Sequence, residues 1–139
     1  KLTASTTFES GKIENLISHT PCACNMHSQV NAHFIIDFQK VSIAPTKYSL
    51  RHTDSRDTEC LRNCKLEASK DGQTWVLMRD HKDDQSIAAK SQAFTWDIND
   101  PKKEFYRYFK LEQTGNNSAN STYLNLAGCE FYGAIRFFQ

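Results

Sequence analysis

Residues 64–78 read CKLEASKDGQTWVLM, and this stretch decides the fold class. Leu66 and Ala68 alternate against Lys65, Glu67 and Ser69, which is the period of a strand with one face turned inward. Asp71-Gly72 follows directly, just before the apolar run from Trp75 to Met78. An Asp-Gly pair supplies the positive φ values of a tight turn, so the segment predicts two antiparallel strands joined as a hairpin.

The same texture continues on both sides. Residues 32–38 (AHFIIDF) form an apolar run consistent with a strand covered on both faces. Residues 42–52 carry Ile43, Tyr48 and Leu50 with Pro45 interrupting, which predicts a strand that begins irregularly or at an edge. Residues 53–63 (TDSRDTECLRN) are charged and aperiodic, as in a long loop between strands. Residues 80–91 read as a second polar loop. Residues 93–98 alternate through Phe94, Trp96 and Ile98 until Asn99-Asp100-Pro101 breaks the pattern. Residues 105–113 place aromatics on both faces and predict a central strand. Residues 115–121 (GNNSANS) are a loop by composition, and residues 123–133 return to β structure. Ile13, Leu16 and Ile17 allow one short helical turn. About eight strands without alternating helices predict an all-β, antiparallel β-sandwich jelly roll.

A chain of 139 residues fits one domain, 1–139, expected to be monomeric in isolation. Hydrophobic residues at 39% against 24% charged are too apolar for a disordered tail. Lys and Arg total 17 against 16 Asp and Glu, so no overall positive field gathers nucleic acid; only a local patch is left open. No apolar run approaches the roughly 20 residues of a membrane span, and the first ten residues lack the apolar core of a secretion signal. Five cysteines, an odd number, favour reduced thiols and a cytoplasmic or nuclear address. The sequons at Asn116 and Asn120 point toward an extracellular alternative, although an Asn/Ser-rich turn produces such tripeptides by chance.

Five blocks in register carry a family resemblance: PTKYSLRH (45–52), DTECLRN (57–63), SKDGQTW (69–75), YRYFKLEQTGNNS (106–118) and YLNLAGCEFYG (123–133). Over residues 28–133 the chain resembles the discoidin, or coagulation factor V/VIII C-type, branch of the galactose-binding-like jelly rolls. It is most similar to the versions found beside BTB domains and in HECT-type ubiquitin ligases. Cys64 and Cys129 depart from the pattern, standing where large core side chains are common, which implies that volume is filled from elsewhere. The resemblance implies binding without catalysis, with ligands in the family ranging over glycans, phospholipid headgroups, peptides and degradation signals.

The richest candidate cluster is Arg51, His52, Arg56, Asp57 and Arg62. Guanidinium forks and a histidine suit carboxylates, phosphates or peptide carbonyls. The competing reading pairs Arg51 and Arg62 with Asp57 and Glu59 to tie the loop down, leaving Arg56 and His52 to meet a ligand. Asn116, Asn117 and Tyr123 flank a second loop and either line a polar rim or serve turn chemistry. Cys22, Cys24, His27 and His33 are zinc-type ligands at spacing unlike common sites, so no metal is predicted there. Asp83 and Asp84 more often solvate a loop, with a structural Ca²⁺ left open. Cys60 and Cys64 need not meet as a disulfide. Trp75, Trp96, Phe105, Tyr106, Tyr108 and Phe109 read as core. None of the common catalytic motifs is present. The expected function is a protein- or peptide-recognition module of a larger intracellular protein, a ubiquitin-ligase component or adaptor. The alternative is an extracellular glycan-binding domain, with occupied sequons and bridged cysteines.

Overall fold

A computed structural model describes residues 1–4, 8–10, 25, 26, 31–53, 56–100 and 102–137. The strands are β1 (Leu2–Ala4), β2 (Phe8–Ser10), β3 (Asn25–Met26), β4 (His33–Asp37), β5 (Val41–Arg51), β6 (Cys64–Ser69), β7 (Val76–His81), β8 (Ala93–Asp97), β9 (Tyr108–Gln113) and β10 (Gly128–Phe137). Eight of them make two sheets, ordered β1-β4-β9-β6-β7 and β10-β5-β8, and β2 pairs with β3 as a separate ribbon. Every pairing is antiparallel. The predicted all-β sandwich is therefore the observed one. The expected helical turn at Ile13, Leu16 and Ile17 lies outside the described residues, as do Cys22, Cys24 and His27. No helix among the described residues is long and apolar enough to cross a membrane.

Residues 105–113 were expected as a central strand, and β9 does occupy the middle of the larger sheet, between β4 and β6. It starts at Tyr108, because Tyr106 is diverted to exchange backbone hydrogen bonds with Ile43 of the other sheet, at 2.8 and 2.9 Å. Of the six aromatics read as core, Trp96, Tyr106 and Phe109 are buried. Trp75, Phe105 and Tyr108 are only half-buried, each with a cation over its ring: Lys110, Arg136 and Arg107. Long basic side chains cover those rings, which explains how aromatic residues sit on an outer face.

Pro45 does not interrupt β5. It lacks an N–H, and the ladder accommodates it by a register shift opposite, between Tyr132 and Gly133, where Gly133 pairs with Pro45. The β6–β7 connection is longer than a two-residue turn. Asp71 receives the backbone N–H groups of Gln73 and Thr74 at 2.8 and 2.9 Å, and Gly72 takes φ 79°. The last strand also starts late: residues 123–127 bury Leu124 and Leu126 without pairing along a strand, and β10 runs on to Phe137.

Cys60, Cys64 and Cys129 are buried free thiols. Cys64 and Cys129 share one core cluster with Tyr48, which stacks with Phe131 at 6.2 Å and lies 5.4 Å from Trp96. Tyr48 hydrogen-bonds His81 Nε2, and His81 Nδ1 meets Asp84 Oδ2 at 2.7 Å. A carboxylate only accepts, so Nδ1 carries the proton and the tyrosine hydroxyl donates to Nε2. Asp84 is thus engaged by His81 and by Ser86, and no group of three or more metal-ligating side chains forms among the described residues.

Candidate binding site

Three connections share one end of the sandwich: residues 52, 53 and 56–63 after β5, 82–92 after β7 and 114–127 after β9. They are stitched together by short bonds. Asp84 N–H donates to Arg62 O at 2.8 Å, Ser118 N–H to Cys60 O at 2.9 Å, and Lys90 N–H to the Asp57 carboxylate at 3.0 Å. The side chain of Asn63 reaches Asn116 O at 2.9 Å and receives Asp83 N–H at 2.9 Å. Two loops that the sequence offered as separate candidates are therefore one surface.

The predicted residues divide between two settings. Arg56 is exposed and donates to Glu59 Oε2 at 3.1 Å, and Asn125 Nδ2 reaches the same oxygen at 2.5 Å. Asp57 and Asn116 are exposed as well, and Tyr123 is half-buried. His52 is 0% exposed. Its Nε2 lies 2.9 Å from Thr58 O and its Nδ1 3.3 Å from Asn125 O. That position corrects the expectation of ligand contact: no atom of the ring reaches the surface, because His52 follows the inward parity of Tyr48 and Leu50 on β5. Asn117 is also buried, its amide spent on Ala119, Ser121 and Tyr123 backbone groups, so it serves turn chemistry. Arg62 is half-buried, and its Nε has no partner among the described residues. The expected pairing of Arg51 and Arg62 with Asp57 and Glu59 is not the observed one. Arg56 takes Glu59, and Arg51 points elsewhere.

Arg51 has the outward parity of Ser49 and faces the outer side of the smaller sheet, donating to Ser91 O at 3.1 Å. Register places Gly128 and Ala93 on either side of it, Glu130 and Thr95 on either side of Ser49, and Tyr132 next to Lys47. Because Gly128 and Ala93 carry little side chain, a hollow of about 240 Å³ opens beside Arg51, bordered by Ser49, Thr95, Glu130 and Tyr132. Ser49 and Thr95 hydroxyls share a 2.6 Å bond, and Tyr132 donates to Glu130 at 2.6 Å. Mixed donors and acceptors around a shallow basin suit a polar ligand. Glu130, Tyr132, Ser49 and Thr95 were missed by sequence reasoning; outward parity from Arg51 would have found Ser49 alone. A larger hollow of about 490 Å³ opens at the seam of the sheets, but its walls include the core-packed side chains of Phe38 and Phe131.

Burial holds the pKa of both His52 and His81 below the ordinary imidazole value of 6.5. The unfolded chain therefore binds more protons than the folded one between those depressed values and 6.5. Their contribution to stability is complete above about pH 6.5 and is lost as pH falls below it. Asp84, lowered to about 2 with Ser86 and His81 as hydrogen-bond partners that outweigh its burial, keeps its own contribution until far more acidic pH. The urea midpoint is expected to drop between pH 7.5 and pH 5; a midpoint that holds or rises would contradict the neutral, buried assignment of these rings.

No protein-family model matches the chain. In sequence it is 38% identical over 134 residues to the E3 ubiquitin-protein ligase Ufd4 of Drosophila melanogaster, covering 93% of this chain. It is 36% identical over 139 residues to the E3 ubiquitin-protein ligase hecd-1 of Caenorhabditis elegans, covering 97% of this chain. The chain spans about 5% of the length of each ligase. A BTB/POZ domain-containing protein of Arabidopsis thaliana matches 92 residues at 35%, which is 64% of this chain and 11% of that protein. Among solved structures, the CBM32-3 module of a Clostridium perfringens family 31 glycoside hydrolase superimposes with TM-score 0.76 at 15% identity, covering 96% of this chain and 92% of that one. The lectin domain of lectinolysin, complexed with Lewis B antigen, gives 0.75 at 16%, covering 96% and 92%. In fold the chain is a discoidin-type, galactose-binding-like jelly roll, and in sequence it is similar to segments of two E3 ubiquitin-protein ligases and of a BTB/POZ protein.

Proposed function

We propose that the chain is the non-catalytic recognition module of a larger ubiquitin-ligase component, and that its loop end binds a protein or peptide partner. One observation carries this reading: Arg56, Asp57 and Asn116 are exposed on loops braced from below by His52 and Asn117, with the Arg51 hollow on the adjoining sheet face. Rigid support beneath exposed hydrogen-bonding groups lowers the ordering cost of binding. Recognition of this kind proceeds by hydrogen bonding and charge pairing. Free buried thiols and the similarity to ubiquitin ligases support a cytoplasmic or nuclear address.

Replacing Arg51 and Arg56 together by Ala in the full-length parent is expected to weaken its partner complexes by roughly 30-fold or more, at unchanged stability of the domain. Co-precipitation at wild-type levels would sink the loop-end assignment. A second reading, glycan binding in the Arg51 hollow, draws on the hydroxyl-lined walls and on the carbohydrate-binding neighbours. Glycan-array signal abolished by Thr95→Ala, with partner complexes intact, would favour it.

A further inference from the structure

The opposite end of the sandwich holds another hollow, of about 330 Å³, lined by Ser42, Lys70, Glu104, Phe105, Arg107 and Arg136. Ser42 lies at the start of β5, Arg136 near the end of β10 and Lys70 just after β6, so the hollow is separated from the candidate binding site by the length of the strands. Three of its side chains are cationic and one is anionic. Lys70 is paired with Glu104 at 3.2 Å, and Arg107 is held bidentately by Asp37 at 2.7 and 3.1 Å. Arg136 has no carboxylate partner among the described residues; its guanidinium lies 4.4 Å from the centre of the Phe105 ring. Stacking on a ring fixes a guanidinium by its face and leaves its in-plane N–H groups to bond something else.

Ser42 supplies the second, independent observation. It is 2% exposed, lines the same hollow, and its hydroxyl has no hydrogen-bond partner among the described residues. A buried hydroxyl left unsatisfied is costly, and such groups commonly mark a place where a ligand completes the bonding. Ser42 and Arg136 are direct partners in the β5–β10 ladder, so their side chains share one face of the sheet. The Arg136 guanidinium from β10, the Lys70 ammonium from just after β6 and the Ser42 hydroxyl from β5 line the hollow together, with Glu104, which holds Lys70, as its one carboxylate. We propose that this hollow binds a phosphate monoester, presented as the phosphorylated side chain of a peptide segment. Two features favour a peptide over a membrane headgroup. Phe105 is the one apolar lining residue, too little for insertion among acyl chains. Beside it, β10 is an edge strand, with no described strand on its outer side, so an extended segment can pair with it while its phosphate enters the hollow.

The test titrates the ¹⁵N-labelled chain with N-acetyl-phosphoserine amide, with N-acetyl-serine amide as control, following backbone amide shifts. Only the phosphorylated probe should shift the amides of Ser42, Phe105 and Arg136, while those of Arg56 and Asn116 stay still. Arg136→Gln should weaken this binding by about 10-fold or more, as expected for loss of a charge-assisted bond. Ser42→Ala should weaken it by about 3-fold or more without lowering the melting temperature, since removing an unsatisfied hydroxyl does not destabilise the unliganded chain. Equal shifts from both probes, an unaltered affinity in Arg136→Gln, or a destabilised Ser42→Ala with normal affinity would each overturn the proposal. Co-sedimentation with vesicles containing 20% phosphatidylinositol 4-phosphate, in the absence of any response to the soluble probe, would overturn it in favour of a membrane ligand. Because the loop end is not involved, failure here is distinguishable from failure of the Arg51 and Arg56 experiment.

Discussion

Gly133→Ala is expected to lower the free energy of unfolding by about 3 kcal/mol or more, a large share of what a domain of this size possesses. Gly133 sits at φ 152°, where side chains of L-residues are strained. A Cβ built there would overlap the carbonyl oxygen of Ala44, an atom of the rigid neighbouring strand. The residue cannot be relieved by a small shift, because it occupies the register irregularity that lets Pro45 sit inside β5 without an N–H to offer. Strain and overlap together would break the ladder between β5 and β10, the longest strand pairing among the described residues. Gly72→Ala is the informative comparison. Its φ of 79° imposes a similar backbone penalty, but the nearest atoms belong to the Tyr108 ring at 3.3 Å. That variant should lose only about 1 kcal/mol. Denaturant unfolding of both proteins decides the matter, and equal losses would mean that the clash with Ala44 is relieved by local movement.

His52→Ala should cost about 3 kcal/mol and, with it, the function of the loop end. The ring fills a fully buried position between two backbone carbonyls, Thr58 O at 2.9 Å and Asn125 O at 3.3 Å, and as a neutral imidazole it donates its one N–H to one of them. Its removal creates a cavity and leaves unsatisfied the carbonyl to which its single N–H donates, and each loss adds to the other. Hydrogen exchange should accelerate in residues 56–63 and 123–127 while β4 and β9 keep their protection. Partner binding should fall as far as in the Arg51 and Arg56 double variant, although His52 touches no ligand. His52→Asn, which keeps a donor in a smaller volume, should recover part of the stability. A His52→Ala protein that is as stable as wild type but cannot bind would instead make His52 a contact residue.

Much of this was legible in the chain itself. Alternation in residues 64–69 marked β6 correctly to the residue, and aromatics on both faces of residues 105–113 marked the strand at the centre of the larger sheet, although that strand begins only at Tyr108. The parity of Tyr48 and Leu50 already contained the burial of His52 and the outward course of Arg51. Grouping those two neighbours as one cluster was the error, since adjacent residues on a strand face opposite ways. Asn116 and Asn117 divided in the same manner, one exposed and one turned into its own turn.

Side-chain period and turn chemistry are local properties, set within a few residues, so the sequence by itself determined an antiparallel all-β sandwich and the stretches that would be its loops. Which groups meet is a long-range matter. Glu130 and Tyr132 reach the Arg51 hollow, and Arg136 lies beside Ser42, only through the register of β10 on β5, which joins distant parts of the chain. That register is fixed by the closing of two sheets around one core and by a single irregularity at Gly133. No local pattern encodes it, and the tertiary structure alone decided it.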